Sequence, residues 1–255
     1  MNSLFKAVFP TKKPIIAMLH IFSGSLTQQI AVALKDASVL GRWVDGLLIE
    51  NYGWGYKDSN TATEEVGQIL ALIAQSVVNQ TSVPVGINVL PNDYEKAFRI
   101  AQATGCQFIQ MDHITGLFRN CQPVDPADFL KSKARYSDIV VFGGIHPKYY
   151  QSLDSDTPIQ ESAHTASKLA DVVVVTGYET GGETDISDLR ATRAAVAHHP
   201  VCIGSGLTAK NARTQLTLAD AAIVGTALKK RGVVPGEQID ENLLQELMEE
   251  VLSLR

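Results

Sequence analysis

Two glycine-bearing turns in the last quarter of the chain have the residue types of an anion site. Gly204–Ser205–Gly206 follows the apolar run Val201–Cys202–Ile203, and Gly225–Thr226 follows Ala221–Ala222–Ile223–Val224. Each run ends in glycine and opens a helical pattern, so N–H groups at a helix start are left to face an oxyanion. The glycines carry no Cβ to hold a ligand away. Ser205, Thr208 and Thr226 can cap the following helix or donate to a phosphate oxygen. One such turn is commonly no more than a capped bend; two in succession point to a shared phosphate cup.

Residues able to move protons stand elsewhere. Glu50 ends the run Gly46–Leu47–Leu48–Ile49, Asp112 ends Phe108–Ile109–Gln110–Met111, and His146 and Lys148 follow Gly143–Gly144–Ile145. If the two carboxylates meet, burial or the Lys148 charge would separate their pKa values and make one an acid and the other a base. Such a pair suits proton shuttling, or glycosidic cleavage in which the carboxyl separation decides between direct attack and water activation. His146 beside Lys148 suits general acid–base work or the stabilisation of negative charge. A plainer alternative stays open, in which Glu50 pairs with Lys148 and Asp112 caps a turn. His20, Asn51, Asn88, Asn92 and Thr176 complete the set as groups that orient a substrate. Trp54, between Gly53 and Gly55, is placed to cover a ring-shaped ligand.

Positioning these groups on one surface requires a scaffold in which strand ends converge. Short apolar runs at 14–20, 46–50, 83–89, 108–112, 138–144, 172–176, 201–203 and 221–224 read as strands buried on both faces. Helical periodicity fills the intervals at 25–43, 64–78, 93–103, 126–136, 161–169 and 186–198, with a closing helix at 241–254 and an irregular start before 14. Eight strands alternating with helices predict an α/β fold, a (β/α)₈ TIM barrel occupying residues 1–255 as one domain. A doubly wound sheet would carry its dinucleotide fingerprint after the first strand, where residues 19–25 contain no G-x-G-x-x-G. In the barrel, the candidate residues all fall at strand C-terminal ends, and the two glycine turns follow strands seven and eight.

Composition narrows the function classes. With 255 residues, 45% hydrophobic and 19% charged, the chain can bury a large core, and a net charge of −5 with no basic stripe argues against nucleic acid. Three scattered cysteines, 106, 121 and 202, have neither zinc nor thiol-exchange spacing and suit a reduced cytoplasmic setting. No stretch has the length and apolarity of a transmembrane segment or signal peptide. His20, Glu50, Asp112 and His146 could in principle meet around a metal, but no H-E-x-x-H-type spacing supports one, so neither metal nor cofactor is expected. A homo-oligomer is expected only from the general frequency of symmetric assemblies.

Several blocks taken together resemble the BtpA/SgcQ family. They are residues 47–51 (LLIEN), 85–93 (VGINVLPND), 175–177 with Thr180 and Gly181, 204–211 (GSGLTAKN) and 223–230 (IVGTALKK). The resemblance covers almost the whole chain. It implies a barrel related to the ribulose-phosphate-binding group, with the phosphate at Gly204, Ser205, Gly206, Gly225 and Thr226. It also implies two functional classes: enzymes of carbohydrate or nucleoside metabolism, and factors for photosystem I biogenesis at the thylakoid membrane. The strand-one turn (residues 21–25, IFSGS) and the ends of strands four (QMDH, 110–113) and five (HPKY, 146–149) depart from the family pattern. The leading expectation is therefore an isomerase, lyase or hydrolase acting on a phosphorylated sugar or nucleoside-like molecule. The alternative is a non-enzymatic assembly factor associated peripherally with a membrane.

Overall fold

A computed structural model describes residues 3–54 and 61–255. Within them, eight parallel strands close in sequence order, β1 (Ile15–His20), β2 (Gly46–Glu50), β3 (Val85–Asn88), β4 (Phe108–Met111), β5 (Val140–Ile145), β6 (Val172–Val175), β7 (Val201–Ile203) and β8 (Ala221–Val224), with β8 returning to β1. The helices between them are α2 (Leu26–Leu40), α3 (Glu64–Gln80), α4 (Tyr94–Thr104), α5 (Pro126–Arg135), α6 (Ile159–Ala166), α7 (Ile186–Val196) and α8 (Ala212–Gln215). A 3-10 turn, Thr226–Leu228, follows β8, and α9 (Glu241–Leu252) ends the fold. This is the (β/α)₈ barrel expected from the alternation of runs.

Local chemistry sets the helix starts. Ser25 and Gln28 form a reciprocal capping box on α2, and Thr63, Asp93, Asp125, Asp185 and Asp240 accept amides at the starts of α3, α4, α5, α7 and α9. Each cap satisfies an N–H that the first helical turn leaves without a partner.

The structure departs from the sequence reading at the N-terminus. The irregular start is a helix, α1 (Ser3–Val8), which carries Phe5 beneath the barrel, with Phe9 just beyond its end. Their rings meet Phe108 and Phe142 from β4 and β5, with Phe5–Phe142 centroids at 6.0 Å and Phe9–Phe108 at 5.4 Å. Edge-on rings fill the barrel floor, and Gly86 makes room for Phe108, since a Cβ there would lie 2.2 Å from its ring. A six-residue helix is too short for periodicity to reveal, so only its contacts define it.

The same lower rim carries a repeated clasp. Asp45, Asp171 and Asp220 each stand one residue before a strand and accept the amide of a residue in the preceding strand: Ile15 at 2.8 Å, Val141 at 2.9 Å and Val201 at 3.0 Å. Each carboxylate also meets a cation, namely Arg255, Lys133 and Arg193 respectively. The closed floor leaves the opposite, C-terminal mouth as the open end.

Candidate active site at the barrel mouth

Inward-facing positions alternate along each strand, so the uppermost inward residue of every strand determines the shape of the mouth. From β1 to β4 these are His20, Glu50, Asn88 and Gln110, in direct register across neighbouring strands. On the other side they are Gly144, Thr176, Gly204 and Gly225, which line the same space as His20, Glu50 and Gln110. One half of the mouth presents polar side chains, and the other half, being nearly all glycine, leaves a void. The result is a cavity of about 450 Å³.

The carboxylates meet. Asn88 Nδ2 donates to Glu50 Oε2 at 2.8 Å and to Asp112 Oδ1 at 3.0 Å, bridging the two acids. Tyr150 donates to Asp112 Oδ2 at 3.0 Å and also reaches the Pro91 carbonyl. Burial and the adjacent Asp112 push the Glu50 carboxyl up to about 8, against the Asn88 hydrogen bond and the Lys148 charge. Burial likewise raises Asp112. Two carboxyls this close in a desolvated site resist ionising together, so one can serve as an acid while the other serves as a base.

Lys148 lines the cavity, and burial holds its ammonium below the ordinary lysine range despite both carboxylates. His20 is buried and lowered to about 3 by desolvation first and then by Lys229 and Lys148, so it is neutral at physiological pH. Its Nδ1 has no partner among the described residues, and its ring stands edge-on to Tyr52 at 5.1 Å.

Other sequence candidates have different places. Asn51 is wholly buried, and its amide exchanges hydrogen bonds with Leu90, accepting from the N–H at 2.8 Å and donating to the carbonyl at 3.3 Å. Asn92 does likewise with the His113 backbone, donating to the carbonyl at 3.0 Å and accepting from the N–H at 3.3 Å. Both side chains are spent on tying neighbouring loops together, and neither lines the cavity. His146 leaves β5 in a left-handed conformation (φ 47°), and its Nε2 lies 3.0 Å from Ser162 Oγ on α6, outside the cavity. His20, Glu50, Asp112 and His146 consequently do not surround a common point, and among the described residues no three His, Cys, Asp or Glu side chains form a cation cluster. Trp54 donates to the Ile21 carbonyl at 2.6 Å; it is Tyr52 that lines the cavity, and Gly55 lies outside the described residues.

The two glycine turns both border the cavity. The Gly204 N–H is consumed by the Val175 carbonyl at 2.7 Å. Ser205 Oγ is also consumed: it accepts the Gly177 N–H at 2.9 Å, donates to the Gly182 carbonyl at 3.1 Å and lies 3.0 Å from Thr176 Oγ1. The amides of Ser205, Gly206, Gly225 and Thr226 have no protein acceptor among the described residues. Gly206 (φ 74°) has a second role, since a Cβ there would sit 2.3 Å from Glu183 Cα and force apart the loops after β6 and β7. The helices that follow are short, α8 starting only at Ala212, so any attraction for an anion comes from the free amides rather than from a helix dipole.

Sequence reasoning missed Gln110, Tyr150 and Arg119. Gln110 was within reach, because it lies two residues before Asp112 on the same face of a period-2 strand. Tyr150 and Arg119 arrive on loops whose paths no local pattern encodes.

The fold and mouth define a (β/α)₈ barrel with a polar, enzyme-like cavity at its C-terminal face. The chain belongs to the BtpA family, whose profile its residues 11–253 match. It is 31% identical over 234 residues to an uncharacterized protein of Pyrococcus abyssi, covering 86% of this chain and 89% of that one. It is 28% identical to the photosystem I biogenesis protein BtpA of Synechocystis, over 91% of this chain and 85% of the relative. Among solved structures it is similar in fold to the N-(5'-phosphoribosyl)anthranilate isomerase of Pyrococcus furiosus, with a TM-score of 0.58 at 14% identity over 94% and 99% of the two chains. It is also similar to a tryptophan synthase chain of M. tuberculosis, with a TM-score of 0.61 at 13% identity over 98% of each chain. No helix among the described residues is long and apolar enough to cross a membrane.

Proposed function

We propose that this protein is an enzyme that binds a phosphorylated sugar or nucleoside-like molecule and moves a proton on it, as an isomerase or a lyase does. The observation that carries this is the Glu50–Asn88–Asp112 bridge, two raised carboxylates held side by side at the edge of a cavity that also meets the free amides of the glycine turns. The amides of Ser205, Gly206, Gly225 and Thr226 would bind the phosphate by charge-assisted hydrogen bonds. The ionised carboxylate would take a proton from a substrate carbon, and the protonated one would deliver its own proton to the neighbouring atom. Lys148 would stabilise the oxyanion formed in between, and Gln110, which lines the cavity, would orient a substrate hydroxyl. A fold neighbour is named as an isomerase of a phosphoribosyl compound, which supports this reading.

The test is a thermal-melt series with ribose 5-phosphate, other sugar phosphates and nucleoside monophosphates on wild type and Glu50→Gln. A ligand at about a hundred times its Kd should stabilise both proteins by roughly 2.7 kcal/mol, because the substitution spares the phosphate amides. Proton exchange between the bound ligand and deuterated water should occur with wild type alone. Absence of any shift across the panel overturns the proposal.

A second reading has its own observation. Leu117 and Leu153 are 47% and 61% exposed, and the Leu153 N–H donates to the Leu117 carbonyl at 2.8 Å, so they form an apolar pair on the mouth loops. An assembly factor of the kind the Synechocystis relative's name describes would use such a surface. Co-purification of a membrane complex that is lost in Leu117→Ser/Leu153→Ser, with no melt shift from any phosphorylated probe, would favour it.

A further inference from the structure

The loops after β4 and β5 pair with one another over one side of the mouth. Phe118 and Ser152 form an antiparallel bridge, the Arg119 N–H donates to the Gln151 carbonyl at 2.9 Å, and the Leu153 N–H donates to the Leu117 carbonyl at 2.8 Å. Phe118 is buried against His113 and Tyr150, with ring centroids at 4.7 and 5.5 Å. This ladder fixes the backbone of Arg119, whose side chain lines the cavity. The guanidinium makes no ion pair or hydrogen bond among the described residues.

Because the strands close in sequence order, β4 lies diametrically across the barrel from β8. Arg119 therefore sits on a loop rooted on the opposite rim from Gly225 and Thr226. The charges of the cavity point the same way. Glu50 and Asp112 both act on Lys148 as its neighbouring counter-charges, which leaves Arg119 as the lining cation without an ion pair among the described residues.

We infer that the ligand carries two anionic groups, a phosphate on the glycine turns and a second anion, carboxylate or phosphate, on Arg119, with the carbons between them lying over the Glu50–Asp112 pair. This rests on the phosphate reading above and narrows it to doubly anionic substrates. Arg119 is a specificity residue in this scheme, because a guanidinium fork reads the planar or tetrahedral oxygens of either anion through two N–H groups at once. Its place on a loop braced by a ladder lets it bind without rearranging the carboxylates.

The test measures binding of ribose 5-phosphate, 6-phosphogluconate, fructose 1,6-bisphosphate and inorganic phosphate by titration calorimetry to wild type, Arg119→Gln and Arg119→Lys. The wild type should bind at least one of the doubly anionic probes roughly tenfold to a hundredfold more tightly than ribose 5-phosphate. Which of the two prevails tells whether the second anion is a carboxylate or a phosphate. Arg119→Gln should erase that preference while leaving ribose 5-phosphate binding unchanged, and Arg119→Lys should restore part of it. Binding of ribose 5-phosphate with no preference for either probe, or a preference that survives in Arg119→Gln, overturns the two-anion inference and leaves the phosphate reading intact. If no phosphorylated probe binds, both fall.

Discussion

At the scale of single residues, the chemistry depends on how one amide side chain holds two acids. Glu50 and Asp112 would repel each other as a bare ionised pair, and Asn88 offers both its N–H groups to them instead of one. Asn88→Ala should cost about 1–3 kcal/mol, the usual penalty for stranding a buried polar group, and a thermal melt checks it. The titration of Glu50 makes a sharper prediction. Its carboxyl moves from 4.5 to about 8, so between those values the folded protein holds a proton that the unfolded chain has released. Folding stability from this group is complete below about 4.5 and declines as pH rises through 8. Melting temperatures of wild type relative to Glu50→Gln should therefore fall in the wild type's disfavour between pH 5 and pH 8 and level off above it; a flat difference across that range would contradict the burial of Glu50. His20, held neutral, contributes no charge over that range.

At the scale of elements, glycine acts chiefly to let backbones approach. The sequence reading assigned Gly204 and Gly206 to a ligand's closeness; their missing Cβ atoms also admit Val174 and the Glu183 backbone. Gly206→Ala has both a left-handed φ of 74° and a 2.3 Å clash to overcome, and should lose on the order of 1–3 kcal/mol together with its affinity for phosphate, read by melts with and without ribose 5-phosphate. The barrel floor is the control. Phe9→Ala should cost about 3–5 kcal/mol by emptying the space against Phe108 and Phe142, yet leave probe affinity unchanged under conditions where it is folded. The Asp clasps were readable as a repeat, since VDGLLIE, ADVVVV and ADAAIV each place aspartate one residue before a strand. Their meaning emerges only when each Asp is seen to hold the preceding strand's amide.

At the scale of the whole molecule, closure of the sheet makes one mouth from the ends of eight strands spread along the chain, with a chemistry-bearing half from β1 to β4 and a glycine half from β5 to β8. A melt shift from any phosphorylated probe, abolished by Gly206→Ala and retained in Phe9→Ala, would show that the two ends of the barrel serve separate purposes. Alternation of apolar runs and helical periods determined the barrel from sequence alone, because burial on both faces leaves few options for eight such runs. The same logic brought Glu50, Asn88, Asp112, Lys148 and the glycine turns to one end, since each stands at a strand's C-terminal edge. Tertiary structure alone decided which of those side chains face the cavity. Asn51, Asn92 and Ser205 are spent on loop backbones, His146 turns to Ser162, and Tyr150 and Arg119 enter from loops. A strand's two-residue period specifies direction up to its last residue, but beyond that point a side chain's aim depends on hydrogen bonds with partners dozens of residues away, which no local pattern records.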